Sequence, residues 1–209
     1  MREYVRGAVW IIAILAAITT LLFLFVLDSW VIPSDDPLFA LSLEPTLAPQ
    51  DRIVVQRGGI PKTGQLARCI SPEKPAKYVI GRMFGAGGET VEITAERITV
   101  AGRGTIGRHG CPPRKVLHPV LGTEVTLGCG VEENSENWTY QVLYHPENPE
   151  PSRVVAIPEG MIYLVSDDRH FHEDSRDFGP IAAATCEHVV FRLWGASYMD
   201  SSRRFSILW

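Results

Sequence analysis

The sequence lacks a basic surplus. Its 209 residues hold 20 Lys and Arg against 24 Asp and Glu, for a formal net charge of −4. A nucleic-acid footprint needs clustered positive charge, so nothing here points to a nucleic-acid partner. Cysteine is scarce, and the four present (Cys69, Cys111, Cys129 and Cys186) form no Cys-x-x-Cys pair and no zinc-ligand spacing. A metal site from His170, His172 and Glu173 would have no placed third or fourth ligand, and no cofactor is implied. There is no internal repeat. After residue 28 there is no amphipathic helix of convincing length and no second apolar run long enough to cross a bilayer. The stretch "VVFRLWGASYM" (189–199) is interrupted by Arg192 and reads as a strand.

The one long apolar run is "GAVWIIAILAAITTLLFLFVL", residues 7–27, whose only polar side chains are Thr19 and Thr20. As a helix its length is about 31 Å, close to the hydrocarbon thickness of a bilayer. A cleaved signal peptide would have a shorter apolar core and small residues at its cut site. Here Asp28, Ser29 and Trp30 follow, so the run reads as an uncleaved anchor in the lipid bilayer. Arg2 and Arg6 precede it, and no Lys or Arg follows until Arg52. The positive-inside rule then puts residues 1–6 in the cytoplasm. Residues beyond 27 fall on the outer face of the cell (inner) membrane, periplasmic or extracytoplasmic.

Beyond the anchor the pattern is β. "DRIVVQR" (51–57), "KYVIGRMF" (77–84), "ETVEITAERITVAG" (89–102), "TYQVLYH" (139–145), "SRVVAIP" (152–158), "MIYLVSD" (161–167) and "HVVFRLWG" (188–195) are rich in β-branched and aromatic residues and are bounded by turn formers. The expected organisation is mainly β. A first part of the core spans 28–102, a loop-rich inserted lobe 103–150, and a second part of the core 151–209. An exported domain meets an oxidising compartment, and Cys111 and Cys129 bracket a Gly- and Pro-rich segment. A bridge between them would contribute about 3 kcal/mol through denatured-chain entropy, and two separate thiols are the alternative. "NWT" (137–139) is a glycosylation sequon, meaningful only on a eukaryotic secretory route.

Two polar stretches stand out. Ser42 lies in "SLEPTL" (42–47), where Pro45 restricts the residue before it. Far downstream, "VSDDRHFHEDSRDFGPI" (165–181) packs nine ionisable residues between Asp167 and Asp177. A solvated loop of weak ion pairs is the plain reading of that cluster. A serine nucleophile, by contrast, needs a base within reach and donors for an oxyanion.

Taken together, three segments resemble the type I signal peptidases. "SLEPTL" is similar to the family's S-M-x-P-T-L serine box, and "DRIVV" (51–55) to the G-D-I-V-V strand after it. "SDDRHFHEDSRDFG" (166–179) is similar to G-D-N-R-x-N-S-x-D-S-R-x-F-G. In that box Asp167, Arg169, Asp174, Ser175, Arg176, Phe178 and Gly179 match. "GAGGETVEI" (85–93) and "VIPS" (31–34) resemble further family segments, in the family's order. The resemblance implies a membrane-tethered, mainly β peptidase core with an inserted β-rich lobe. It also implies a serine endopeptidase that removes signal peptides from exported proteins. Ser42 would be the nucleophile, and Pro45 and the acidic-arginine box would shape the substrate site or the structure around it.

The sequence departs from the family at the base. Aligned gap-free on the family's lysine box, "PAKYVIGRMFGAGGETVEI" puts Gly81 where the lysine belongs. Lys77 is one replacement, although it sits four residues away, about 13 Å along a strand. His172 is the other. It takes the place of a family serine that hydrogen-bonds the lysine, and it would point toward the space Gly81 leaves. A Ser-His arrangement occurs in the family's endoplasmic-reticulum branch. A working pair would place Ser42 Oγ within about 3.2 Å of a nitrogen of His172 or Lys77. Ala40 replaces a second serine that would support the oxyanion. The alternative is therefore an inactive homologue that binds signal-peptide-like segments or assists another peptidase.

Overall fold

The computed structural model describes residues 2–94, 97–133 and 138–208. Asn137 of the sequon lies outside them. Helix α1 (Arg2–Phe25) runs straight into strand β1 (Leu27–Val31). Residues Tyr4–Phe25 have a mean hydropathy of 2.7 and none of them is buried, which is compatible with a single-pass anchor. A short helix α2 (Pro37–Ser42) follows. Then come β2 (Arg52–Gln56), β3 (Leu66–Ile70), β4 (Tyr78–Ala86), β5 (Thr90–Ile93), β6 (Ile98–Val100) and β7 (Arg103–Gly104). The next strands are β8 (Ile106–Leu117), β9 (Glu124–Glu133), β10 (Thr139–Tyr144), β11 (Arg153–Ala156) and β12 (Met161–Val165). Helix α3 (Ser175–Phe178), β13 (Ile181–Ala182), β14 (Cys186–Trp194) and β15 (Ser206–Ile207) complete the chain.

Three sheets form. The largest is ordered β1-β2-β14-β3-β4-β12-β13, with β15 added on β14. A second is β11-β5-β6-β7, and a third is β10-β9-β8. β2, β3, β4 and β12 read as near-continuous apolar runs because they are buried on both faces. One core cluster gathers Ile32, Phe39, Leu43, Leu47, Ile53, Val55 and Ile80 under the serine segment. Each such side chain contributes about 1.5–3 kcal/mol when fully buried. The turn from β4 to β5 has Gly88 at φ 85°, a conformation glycine adopts without strain.

Two disulfides link the core and the lobe internally. Cys111 pairs with Cys129 across β8 and β9. Cys69 pairs with Cys186 across the neighbouring strands β3 and β14. The region read from sequence as loop-rich holds two long strands, β8 and β9. Pro112 and Pro113 fall where the β8 register shifts, on an edge strand. Proline cannot donate to a ladder, so it is tolerated only at such places.

Candidate active site

Ser42 is the last residue of α2. Asp36 caps the start of this helix by accepting from the Phe39 N–H at 3.4 Å, and Pro37 occupies the first turn. Ser42 is wholly buried, and its hydroxyl donates to the Phe39 carbonyl at 2.8 Å. Its own carbonyl accepts from the Asp168 N–H at 3.4 Å. The third sheet closes over this segment. Leu41 packs on Leu127, Cys129, Leu143 and Phe171, and Arg114 of β8 pairs with Glu44 at 3.0 Å. The backbone of Leu143 in β10 donates to the Asp167 carbonyl and accepts from Arg169 N–H.

Among the described residues no hydrogen bond joins Ser42 to His172 or Lys77, so the expected contact within about 3.2 Å is absent. Both candidates are committed elsewhere as cations. Lys77 precedes β4 and is half exposed, with Nζ 3.0 Å from Asp36. That hydrogen bond raises its pKa, which opposes a neutral amine. Asp36 lies at the far end of α2, about 9 Å along the axis from Ser42. His172 Nδ1 is 2.8 Å from Asp177, and Nε2 is 3.5 Å from Glu150. Burial alone would lower its pKa, but these carboxylates raise it to about 9. The imidazole is then protonated at neutral pH and has no lone pair to accept a proton.

Gly81 does not leave an empty space either. A Cβ there would lie 3.2 Å from Leu164 Cβ and from the Val165 carbonyl oxygen. Backbone and a core leucine of β12 fill the space beside Gly81.

The rest of the box is tightly built. Arg82 is fully buried and holds Asp167 through Nε at 2.7 Å and Nη2 at 3.0 Å. It also donates to the Gly64 carbonyl and to Thr46 Oγ1, and stacks 3.9 Å from the Tyr140 ring. Thr46 donates to Asp167 in turn. This network fastens the serine box to β4, to the end of β12 and to the lobe. Asp174 caps α3, accepts from the Ser166 N–H at 2.6 Å and binds Arg176 at 2.7 Å. Burial would raise the Asp174 pKa, but Arg176 holds it far below the ordinary carboxylate range. Ser175 Oγ accepts from the Leu164 N–H at 3.0 Å. A cavity of about 240 Å³ beside Pro45 and Thr46 is lined also by Arg82, Tyr140, Gln141 and Leu208.

Residues His172, Asp174 and Asp177 bring three donor atoms within 4.8 Å of one another. Arg176, the Ser166 N–H and the Asp174 N–H already occupy those carboxylates. Sequence reasoning did not single out Asp168. It is completely buried, its Oδ1 accepts from the His170 and Phe171 N–H groups at 2.9 Å, and its Oδ2 has no partner. Burial raises its pKa to about 7, against those two hydrogen bonds. The signal was present in the family box, which has Asn at this position.

A family model described as signal peptidase, peptidase S26, matches residues 2–194. No curated protein matches. A solved signal peptidase I from Enterococcus faecalis V583 is similar at 24% identity and a TM-score of 0.36, covering 62% of this chain and 96% of that one. With residues 2–194 matched, the chain belongs to the signal peptidase family, peptidase S26.

Proposed function

We propose that this protein is a membrane-anchored signal-peptidase homologue that engages signal-peptide-like segments without cleaving them in the conformation described. The observation that carries this reading is Ser42 itself. Its hydroxyl is buried and turned onto a main-chain carbonyl, and both replacement bases are cations held by carboxylates. Nucleophilic attack needs a hydroxyl whose proton has somewhere to go, and here it has nowhere. A second reading is favoured by the serine box and its Arg82–Asp167–Thr46 support, which are intact. On that reading the protein is a serine endopeptidase that cleaves signal peptides once the third sheet moves off Ser42.

The test is binding by the full chain in lipid nanodiscs. A synthetic signal peptide bearing a photo-crosslinker should label the protein saturably, with a scrambled peptide of equal composition labelling it at least about tenfold more weakly. Equal labelling by both would remove the signal-peptide reading.

A further inference from the structure

The outer end of the third sheet is a two-stranded overhang. β10 pairs with β9 from Glu133 to Gly128 and stops there. Beyond that point, residues 114–127 of the β8–β9 hairpin carry no third strand among the described residues. This overhang covers the Ser42 segment. Its Val116, Val125 and Leu127 pack with Leu41 and Phe171, and its Arg114 holds Glu44. The rest of the sheet is fixed, because Tyr140 and Val142 of β10 lie in a separate core cluster with Phe84, Tyr163 and Val165.

Three histidines meet where the overhang lands. His118, in the turn between β8 and β9, sets its ring edge-on to Phe171 at 5.2 Å. The His170 ring lies 4.5 Å from the same phenyl ring and 4.8 Å from His145, which follows β10. His118 Nδ1 accepts from the Val120 and Leu121 N–H groups, both at 3.2 Å. His145 Nδ1 accepts from the Glu147 and Asn148 N–H groups at 3.2 and 3.1 Å. An imidazole nitrogen accepts only while it is unprotonated, so both turns are built on neutral rings.

The carboxylates near these rings are already paired. His170 faces His145, His118 and the cationic His172, with Glu150 as the opposing charge. Glu150 pairs with Arg153 and Arg176 and faces His172, whose other nitrogen meets Asp177. Glu132 of β9 holds Arg169, Asp174 holds Arg176, Glu173 holds Lys74, and Glu124 of the overhang holds Lys115. Asp168 accepts from the His170 N–H, and its carboxyl, raised to about 7 by burial, is neutral in acid. Glu147, two residues beyond His145, is exposed. Burial and then the neighbouring imidazoles lower the His170 pKa.

We propose that the overhang is an acid-released cover, closed over Ser42 while His118, His145 and His170 are neutral and lifted when they take protons. Protonation turns two Nδ1 acceptors into donors that face N–H groups. It also sets a charge on the overhang, at His118, against charges on the fixed side at His145 and His170. A histidine whose pKa is lowered in the closed form stabilises that form fully above pH 6.5, and the contribution is lost as pH falls through the lowered value. The cover therefore opens below pH 6.5. Lys77 and His172 remain cations there, so opening admits a peptide without supplying a base. The use of the cover rests on the signal-peptide reading of the Ser42 segment, whereas its opening is measured without peptide, so the two fail separately.

Hydrogen exchange of the full chain in nanodiscs tests the cover, read by mass spectrometry as protection relative to unfolded-peptide rates at each pH. Between pH 7.5 and pH 5 the protection of residues 114–127 should fall at least about tenfold, while β10 and β4 change by less than about twofold. His118→Asn keeps a side-chain acceptor and takes no proton. Combined with His170→Gln, it should hold protection at pH 5 within about twofold of its value at pH 7.5. Equal protection of 114–127 at the two pH values in the unchanged protein would overturn the proposal. So would an equal loss from β10, or a fall that survives in the double variant. Should the double variant fail to fold, NMR of the unchanged protein decides. The fall must follow the titration of the His170 imidazole, and a fall at a different pH sinks the proposal.

Discussion

Asp168 shows at single-residue scale how one atom shapes the pH response. Its carboxyl titrates near 7 in the folded protein, against an ordinary 3.8. A raised carboxyl favours folding while it is protonated. Its contribution is complete below pH 3.8 and is lost as pH rises through 7. Asn keeps the acceptor that serves His170 and Phe171 and removes the charge. Asp168→Asn should therefore flatten the fall in stability between pH 4 and 7, and gain about 1–3 kcal/mol at pH 8. Urea midpoints at several pH values check it, and a variant weaker at pH 8 with an unchanged slope would contradict it. His172 acts in the next window. Its pKa, raised from 6.5 to about 9, gives stability that is complete below pH 6.5 and is lost as pH rises through 9. Asp177→Asn retains the cap acceptor for the Asp174 N–H and removes the charge facing the imidazole. It should cost about 1 kcal/mol at pH 6, since Asp177 is partly exposed, and nothing at pH 10. An equal loss at both pH values would assign Asp177 a packing role alone. The sequence placed Ser42, His172 and Lys77 in view but not their partners. Asp177 lies five residues from His172 in the same stretch, but Asp36 and Glu150 lie on segments whose approach to Lys77 and His172 no spacing rule gives.

At the scale of elements, β2, β4, β10, β12 and β14 were legible because Val, Ile and aromatics run between clear turn signals. β8 and β9 were not, since "IGRHGCPPRKVL" and "EVTLGCGVEE" mix glycine, proline and charge. They are held as strands by pairing with each other, by β10 and by the Cys111–Cys129 bridge. The Cys69–Cys186 bridge was invisible for another reason. Its cysteines are 117 residues apart, and only the antiparallel register of β3 and β14 brings them opposite. A crosslink over that loop contributes about 4–5 kcal/mol by chain entropy. Changing both cysteines to serine should lower the unfolding free energy from urea titration by that order. An unchanged free energy would mean that the bridge adds nothing to folding.

At the scale of the molecule, a signal-peptidase family match spans residues 2–194 and begins with an apolar N-terminal helix. The order of boxes along the chain gave the family, because Asp167 and Arg82 must meet beneath the serine box whatever the chemistry above them. It could not give the state of the nucleophile. That depends on the third sheet, which covers Ser42 through Leu41, Leu143 and the Arg114–Glu44 pair. It depends also on β12, which fills the space beside Gly81. The central claim is that Ser42 has no base and does not cleave. The measurement that tests it most directly is mass spectrometry of a signal-peptide-bearing substrate held with excess full-length protein in nanodiscs, from pH 5 to pH 10. The account predicts intact substrate at every pH, in the unchanged protein and in Ser42→Ala alike. A single cut after a small residue, rising with pH and abolished by Ser42→Ala, would contradict it.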